Sequence, residues 1–341
     1  VLLVAAGQGR ERLIRDAEVL KPRHPAGVAV QDTPYDLPHS WVWTRIGDVG
    51  AVVGGGTPPS DAPEYWATGQ EGGVPWLTPA DMRVQRSRYY LRGKRDISNL
   101  GLEASSARLL PAGSVLFSSR APIGHVGIAS GPLATNQGFK CVVPYVDGLT
   151  EYLYVFLCAV GPEVDANATG TTFREVSGKE VALIPIPLPP LAEQHRIVAR
   201  VDELMGLLDR LEAARAAREA TRVALRDAAL AALRNADNAA AVQVAWARIA
   251  EHMDDLFTHP DDVAPLRQTI LQLAVRGRLV PQDPNDEPAS VLLKRIAEEK
   301  ARLVKEKVIR KSDPLPAVRA DEVPFEVPAG WVWCRLATVC A

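Results

Sequence analysis

The chain is poor in the residues that advertise covalent, redox or metal chemistry. It holds only 4 cysteines, 3 methionines and 6 histidines in 341 residues. Cys141, Cys158, Cys334 and Cys340 form no C-x-x-C pair and sit in no histidine cluster, so reduced, intracellular thiols are expected. Charge of one sign is also lacking: Lys+Arg 39 against Asp+Glu 41 leaves a formal net charge of -2. No global basic field announces nucleic acid, and any such site must be local. Long apolar runs are missing too. The longest clean one, Val1 to Ala6, falls far short of the roughly 20 residues of a membrane span. The start shows neither the basic flank nor the small-residue cleavage site of a signal peptide, and it lacks a Met, which fits an incomplete product. A soluble, cytoplasmic protein is expected. Apolar residues at 47% and charged residues at 23% allow a sizeable core and exclude wholesale disorder.

Catalytic templates are absent as well. There is no G-x-x-x-x-G-K-[ST]; Ser177-Gly178-Lys179-Glu180 lacks the leading Gly and the final hydroxyl residue. No H-E-x-x-H or G-x-S-x-G occurs. Leu188-Pro189-Pro190-Leu191 is not the polar-Pro-Pro-aromatic motif with which an amino-methyltransferase grips a flipped adenine. Gly7-Gln8-Gly9 mimics the opening of a nucleotide-binding turn without its third Gly. His125, His195, His252 and His259 are scattered and read as surface or satisfied histidines. No catalytic residue, metal ligand or cofactor site is expected in this chain.

What is present changes texture near residue 189. Residues 34–188 carry short apolar runs between Gly and Pro, among them Ser114–Phe117, Val126–Ala129 and Cys141–Pro144, which predict strands. A helix is predicted around Thr150–Cys158, giving a mixed α+β globule. From Pro190 the pattern turns helical. Ile197, Val201, Leu204, Leu208 and Leu211 recur as a heptad stripe that seeks a partner helix, and an Ala-rich stretch continues it. Run to about Asn235, this helix would be roughly 65–70 Å long, the length of a spacer arm. Helical signal returns at Leu266, Ile270 and Leu273 and stops at Gly277. It returns again over Leu292, Ile296 and Leu303 after Pro288.

A repeat with a long period links the two ends. Shifting by 290 residues superposes 37–51 on 327–341 with seven of fifteen positions identical: Pro38, Trp41, Val42, Trp43, Arg45, Val49 and Ala51. Composition alone would give about one. The same shift pairs Pro34-Tyr35-Asp36 with Pro324-Phe325-Glu326, and Arg12–Asp16 with Arg302–Glu306. Residues 10–20 are therefore expected to end a helix. The C-terminus is expected to fall inside the opening strand of a second globule.

One basic patch stands out. Arg83, Arg86, Arg88, Arg92, Lys94 and Arg95 place six cations in thirteen residues with no acid among them, and Tyr89 and Tyr90 lie between. Guanidinium groups bind phosphates or read guanine, and tyrosines pack on sugars or bases, so the run reads as a DNA contact or as a solvated basic loop. Trp41, Trp43, Trp66 and Trp76, flanked by Val and Pro, read as core anchors at strand starts.

A series of motifs in order resembles a known family. The residues are Gly56-Thr57-Pro58, Tyr65-Trp66, Val74-Pro75-Trp76, Ser118-Ser119-Arg120-Ala121-Pro122-Ile123-Gly124 and Thr135-Asn136-Gln137-Gly138-Phe139-Lys140. Then come Gly170-Thr171-Thr172-Phe173, Ile186-Pro187-Leu188-Pro189-Pro190-Leu191-Ala192-Glu193-Gln194 and the Leu266–Gly277 stretch running into Leu279–Ala289. The series resembles the specificity subunit of bacterial type I restriction-modification enzymes. The resemblance implies two target recognition domains separated by long helices that pair antiparallel, each domain reading half of a bipartite DNA site. It implies a domain order of 1–33 helix tail and linker, 34–188 first recognition domain, 189–236 spacer helix, 237–320 central helical region and 321–341 the start of a second recognition domain. It also implies a non-catalytic subunit. S-adenosylmethionine, ATP and Mg would serve the partner methyltransferase (modification) and restriction/translocase subunits, and double-stranded DNA would be the ligand. Arg120, Asn136, Gln137, Lys140, Thr171 and Thr172 are then candidates for positioning DNA, and the 83–95 segment for sequence choice. A coiled-coil adaptor whose globule binds protein is the alternative.

Overall fold

Two compact units divide the chain, Val1–Leu207 and Leu208–Ala341. The computed structural model describes residues 28, 33–67, 72–120, 122–168, 174–310, 313 and 315–340. The helix tail expected over 10–20, the Gly7-Gln8-Gly9 turn, Thr171 and Thr172 lie outside the described residues.

The first unit is built on short strands that bury both faces. In chain order it contains β1 (Val42–Arg45), α1 (Ile46–Val49), β2 (Gly50–Gly54), β3 (Val74–Leu77), α2 (Pro79–Gln85), β4 (Tyr89–Tyr90), β5 (Arg95–Ile97) and α3 (Asn99–Glu103). There follow β6 (Val115–Phe117), β7 (Val126–Ala129), β8 (Ala134–Thr135), β9 (Lys140–Pro144), α4 (Thr150–Asn167), α5 (Gly178–Leu183) and β10 (Pro185–Leu188). The main sheet has the order β2-β9-β6-β7-β4, with only β4 and β7 parallel. A smaller sheet runs β5-β3-β8, and β1 pairs antiparallel with β10, Val42 opposite Leu188.

Alternation decides which side chain goes where. In β6, Val115 and Phe117 join a cluster with Tyr152, Leu153 and Leu157 of α4 and Ile186 of β10. Leu116 faces the other way, into a cluster with Leu77, Met82, Tyr90, Leu133 and Phe139. β9 repeats the pattern, Val142 on one side and Cys141 and Val143 on the other. Successive residues of a strand point to opposite faces, and each fully buried side chain of this size contributes about 1.5–3 kcal/mol. Burial pushes the Cys141 thiol up to about 12, so it packs as an inert apolar group. Gly56 explains part of its motif. A Cβ there would lie 2.3 Å from the Ala107 nitrogen. Its own N–H donates to the Thr135 carbonyl at 2.9 Å, and its carbonyl accepts from Trp76 Nε1 at 3.0 Å.

The long helix expected from Pro190 is α6 (Leu191–Arg234), 44 residues and about 66 Å at 1.5 Å per residue. Its first turns belong to the first unit, where Val198 is buried and Ile197 packs beside it. Leu204, Leu208 and Leu211 of the heptad stripe stand 42%, 51% and 58% exposed.

In the second unit the end of α6 packs with α7 (Ala239–Glu251), α8 (Met253–Leu256) and α9 (Val263–Val275). Leu230, Leu233, Ile249 and Leu273 form its core. Gly277, at φ +66, ends the turn after α9 where the sequence predicts a stop. α10 (Ala289–Lys305) and α11 (Leu336–Val339) are the remaining α-helices among the described residues. Asp262 is the polar centre of this unit. It is 2% exposed and takes the Arg222 guanidinium at 2.8 and 3.2 Å, the Arg226 guanidinium and the His259 backbone N–H at 2.9 Å.

The 290-residue repeat is a repeat of structure. Tyr35 meets Trp43 edge-on at 5.2 Å, and Phe325 meets Trp333 edge-on at 5.0 Å. Trp43 Nε1 donates to the Tyr35 carbonyl and Trp333 Nε1 to the Phe325 carbonyl, both at 3.3 Å. The short helices that follow, α1 and α11, stand 290 residues apart at both ends. One expectation is corrected here: residues 331–335 form no strand. β1 exists because β10 supplies its ladder, and no described residue supplies one to 331–335.

Burial disfavours the charge of Asp262, but hydrogen bonds from Arg222, the His259 amide and Arg226 outweigh it and hold the carboxyl at about 2. An unfolded aspartate titrates near 3.9. The folded value is depressed, so the stabilisation is complete above about pH 4 and is lost as pH falls toward 2. Asp262→Asn is expected to lower the thermal unfolding midpoint at pH 7 and to flatten its fall below pH 4. Melting curves across that range check it, and an unchanged acid limb would refute it.

Candidate nucleic-acid interface

The cationic run is carried by α2, β4, β5 and the turns between them. Thr78 and Asp81 cap the start of α2 reciprocally: Asp81 N–H donates to Thr78 Oγ1 at 3.3 Å, and Thr78 N–H to Asp81 Oδ2 at 2.8 Å. The other Asp81 oxygen accepts from the Lys94 N–H at 3.0 Å. One carboxylate therefore ties the start of the helix to the turn before β5. On the inner side Met82 and Tyr90 are buried.

The structure sorts the six cations into two kinds. Arg88 is tethered: it pairs with Glu151 of α4, donates to Asp202 of α6 at 2.7 Å and lies over the Tyr154 ring at 4.6 Å. Burial disfavours its charge, yet the bond to Asp202 and the charges of Glu151 and Asp202 hold its guanidinium above the ordinary value. Tyr89 donates to the same Glu151 at 3.0 Å. Arg92 pairs with buried Asp96 at 3.6 Å, and Arg95 lies over Trp66 at 3.6 Å. Trp66 in turn meets buried Trp76 edge-on at 5.3 Å. Arg83, Arg86 and Lys94 are exposed, and their side chains pair with no described residue.

A second cluster gathers motifs that are far apart in sequence. Ser119 N–H donates to the Gly138 carbonyl at 2.8 Å, and Val176 N–H to the Ser119 carbonyl at 3.0 Å. Glu175 lies 3.2 Å from Lys140 and 3.9 Å from Arg120. The Asn136 side-chain oxygen accepts from the Gly138 N–H at 2.9 Å, closing a local turn. The Gln137 side-chain oxygen accepts from the Thr57 hydroxyl. Each of these carboxamide oxygens thus holds one hydrogen bond within the chain. Arg120, Asn136, Gln137 and Lys140 stand together here. The 83–95 cations are a separate group, carried on α2, β4 and β5.

Sequence reasoning missed Glu151, Glu175 and Asp202, the acids that divide the cations between internal and external use. No local signal marks them, because each partner lies 35 or more residues away. Among the described residues no group of His, Cys, Asp and Glu is placed to hold a metal ion, and no helix is long and apolar enough to cross a membrane.

The fold and these clusters define a chain that presents a small cationic surface on a mixed α+β unit followed by a long helix. The family profile described as type I restriction modification DNA specificity domain matches residues 38–218, and the chain belongs to that family. It is 32% identical over 348 residues to the EcoAI specificity subunit of Escherichia coli, covering 99% of this chain and 57% of that protein. It is 30% identical to the EcoEI specificity subunit of Escherichia coli, covering 100% and 57%. It is also 39% identical over 175 residues to the MjaIX specificity subunit of Methanocaldococcus jannaschii, covering 51% and 40%. The chain therefore spans little more than half the length of the two Escherichia coli relatives. A solved HsdS subunit from Thermoanaerobacter tengcongensis aligns with TM-score 0.42 and 27% identity, over 62% of this chain and 47% of that one.

Arg88→Ala is expected to destabilise the first unit by about 1–2 kcal/mol, because it strips hydrogen-bonded partners from Glu151 and Asp202, which water then partly replaces. Arg83→Ala and Lys94→Ala are expected to stay within about 0.5 kcal/mol of the parent. Denaturant titrations compare the three. Equal stability of all of them would contradict the tether.

Proposed function

We propose that this chain is a non-catalytic DNA-reading subunit of a type I restriction-modification complex and recognises one half of a bipartite duplex site. The observation that carries the reading is the exposed set Arg83, Arg86 and Lys94, whose side chains pair with no described residue while Arg88 and Arg92 of the same run are tied to acids, in a chain of this family. Residues 34–188 act as the target recognition domain and 189–236 as the spacer helix. Residues 1–33 are the N-terminal helix tail and linker, 237–320 the central helical region and 321–341 the start of a second recognition domain, and the long helix, residues 196–232 above all, docks methyltransferase subunits. Arg120, Asn136, Gln137 and Lys140, with Thr171 and Thr172, shape and position the DNA-facing loops. S-adenosylmethionine, ATP and Mg belong to the modification and restriction subunits, and the complex works in the cytoplasm. The exposed Leu204, Leu208 and Leu211 supply an apolar stripe for helix pairing in that assembly.

Phosphate contacts release counterions, so affinity falls with salt at a slope near 0.9 per phosphate contact. Two such contacts, from Arg83 and Lys94, are expected to weaken duplex binding about tenfold between 50 and 200 mM salt. The double variant Arg83→Ala/Lys94→Ala should flatten that dependence, and footprinting should show protection of one half-site. A band shift indifferent to salt, or none at all beside tight binding to a protein partner, would favour the adaptor reading instead.

A further inference from the structure

We infer that Arg86 and Val84, at the C-terminal end of α2, choose the base sequence that is read. The inference rests on the DNA-reading role proposed above and assigns specificity within it. Arg86 adopts φ 48 and ψ 46, the left-handed region, and is the one non-glycine residue to do so among the described residues of the first unit. That conformation crowds the Cβ of an L-residue against its carbonyl, and helices commonly end there on glycine or asparagine. A side chain retained in such a place normally returns a packing or hydrogen-bond contact. Arg86 returns neither: it is exposed, and its guanidinium pairs with no described residue.

The backbone around it is held firmly. Arg86 N–H donates to the Met82 carbonyl at 2.9 Å, and Ser87 N–H donates to the hydroxyl of buried Tyr90 at 3.1 Å. Tyr89 N–H donates to Ser87 Oγ at 3.2 Å. Strain of this kind persists where the surroundings over-determine it, and it concentrates at functional positions. The guanidinium therefore leaves the surface from a fixed point. Two residues earlier, Val84 is 81% exposed, an apolar side chain with no part in the core.

The chemistry fits base edges in a major groove. A guanidinium fork bonds guanine O6 and N7 together, and an aliphatic group packs on the thymine methyl. A phosphate contact needs no strained position, since a flexible cation on the helix serves it, and Arg83 stands three residues before Arg86 to do so. Arg86 is thus assigned to guanine, Val84 to thymine and Arg83 to the backbone.

The test is selection from a pool of randomised DNA duplexes by the full chain, alone and reconstituted with type I modification subunits. Arg86→Gly is expected to raise the thermal midpoint by about 2–4 °C, because glycine relieves the left-handed strain. It should also weaken binding of the parent-selected duplex about tenfold or more and erase a guanine preference at one position. A purely structural residue would not combine higher stability with lost specificity. Arg86→Lys should keep the salt slope and weaken the guanine preference, since an ammonium reaches guanine without the planar fork, Val84→Ser should lose a thymine preference, and Arg83→Ala should weaken all duplexes alike. An Arg86→Gly chain that selects the same sequence with the same affinity overturns the inference while leaving DNA reading intact. A parent chain that selects no sequence under either condition overturns both.

Discussion

Strands β6 and β9 are covered on both faces, and that constraint moves the polar groups next to them into the loops at their ends. Val115, Leu116 and Phe117 are fully buried, as are Cys141 and Val142. With no wet face available on these strands, the polar residues gather in the loops at their ends. The loop after β6 and the turn between β8 and β9 then meet each other through main-chain hydrogen bonds, Ser119 to Gly138, and the segment before α5 joins through Val176 to Ser119. Main-chain bonds do not depend on side-chain identity. Such a frame keeps its shape while the side chains it presents vary.

Electrostatics adds a division of labour on this frame. The chain is nearly neutral, so its cationic surface cannot arise from excess charge. It arises because particular acids are spent elsewhere. Glu151 and Asp202 take Arg88, Asp96 takes Arg92, and Glu175 lies against Lys140 and Arg120. Exposed pairs of this kind contribute little stability, commonly about 0–1 kcal/mol each. Their effect on placement is larger than their effect on stability. Within the 83–95 run they leave Arg83, Arg86 and Lys94 unpaired with any described residue, and the Arg88 tether anchors the segment against α4 and the first turns of α6.

Much of the fold was legible in the sequence where local pattern decides it. The runs at 114–117, 126–129 and 141–144 lie on β6, β7 and β9, and the heptad stripe with the Ala-rich stretch lies on α6. Two-residue strands such as β4 and β8 were not legible, because pairing alone defines them. Nor was α7: its opening Ala239-Ala240-Ala241 carries no stripe, and its core contact is made by Ile249. Of the candidate site, the cationic run was visible as composition. Its sorting into tethered and free cations was not, since it depends on acids brought in from distant helices. The carboxamides of Asn136 and Gln137 divide in the same way: the Asn136 bond to Gly138 is local, whereas Gln137 meets Thr57 across 80 residues.

The repeat separates local from long-range causes within one chain. At both 35–49 and 325–339 the aromatic pair closes edge-on, the tryptophan N–H reaches back eight residues, and a four-residue helix follows. The aromatic pair and the tryptophan bond lie within the segment itself, so the same sequence produces them twice. The strand that carries the tryptophan and leads into the helix forms only in the first copy, where β10 lies opposite. Nucleus and ladder are therefore distinct events. The Tyr35–Trp43 and Phe325–Trp333 corners preset the chain direction with a few local contacts, and pairing with a distant strand then turns one preset segment into sheet. A ladder partner opposite 332–335 would find a corner already folded to receive it.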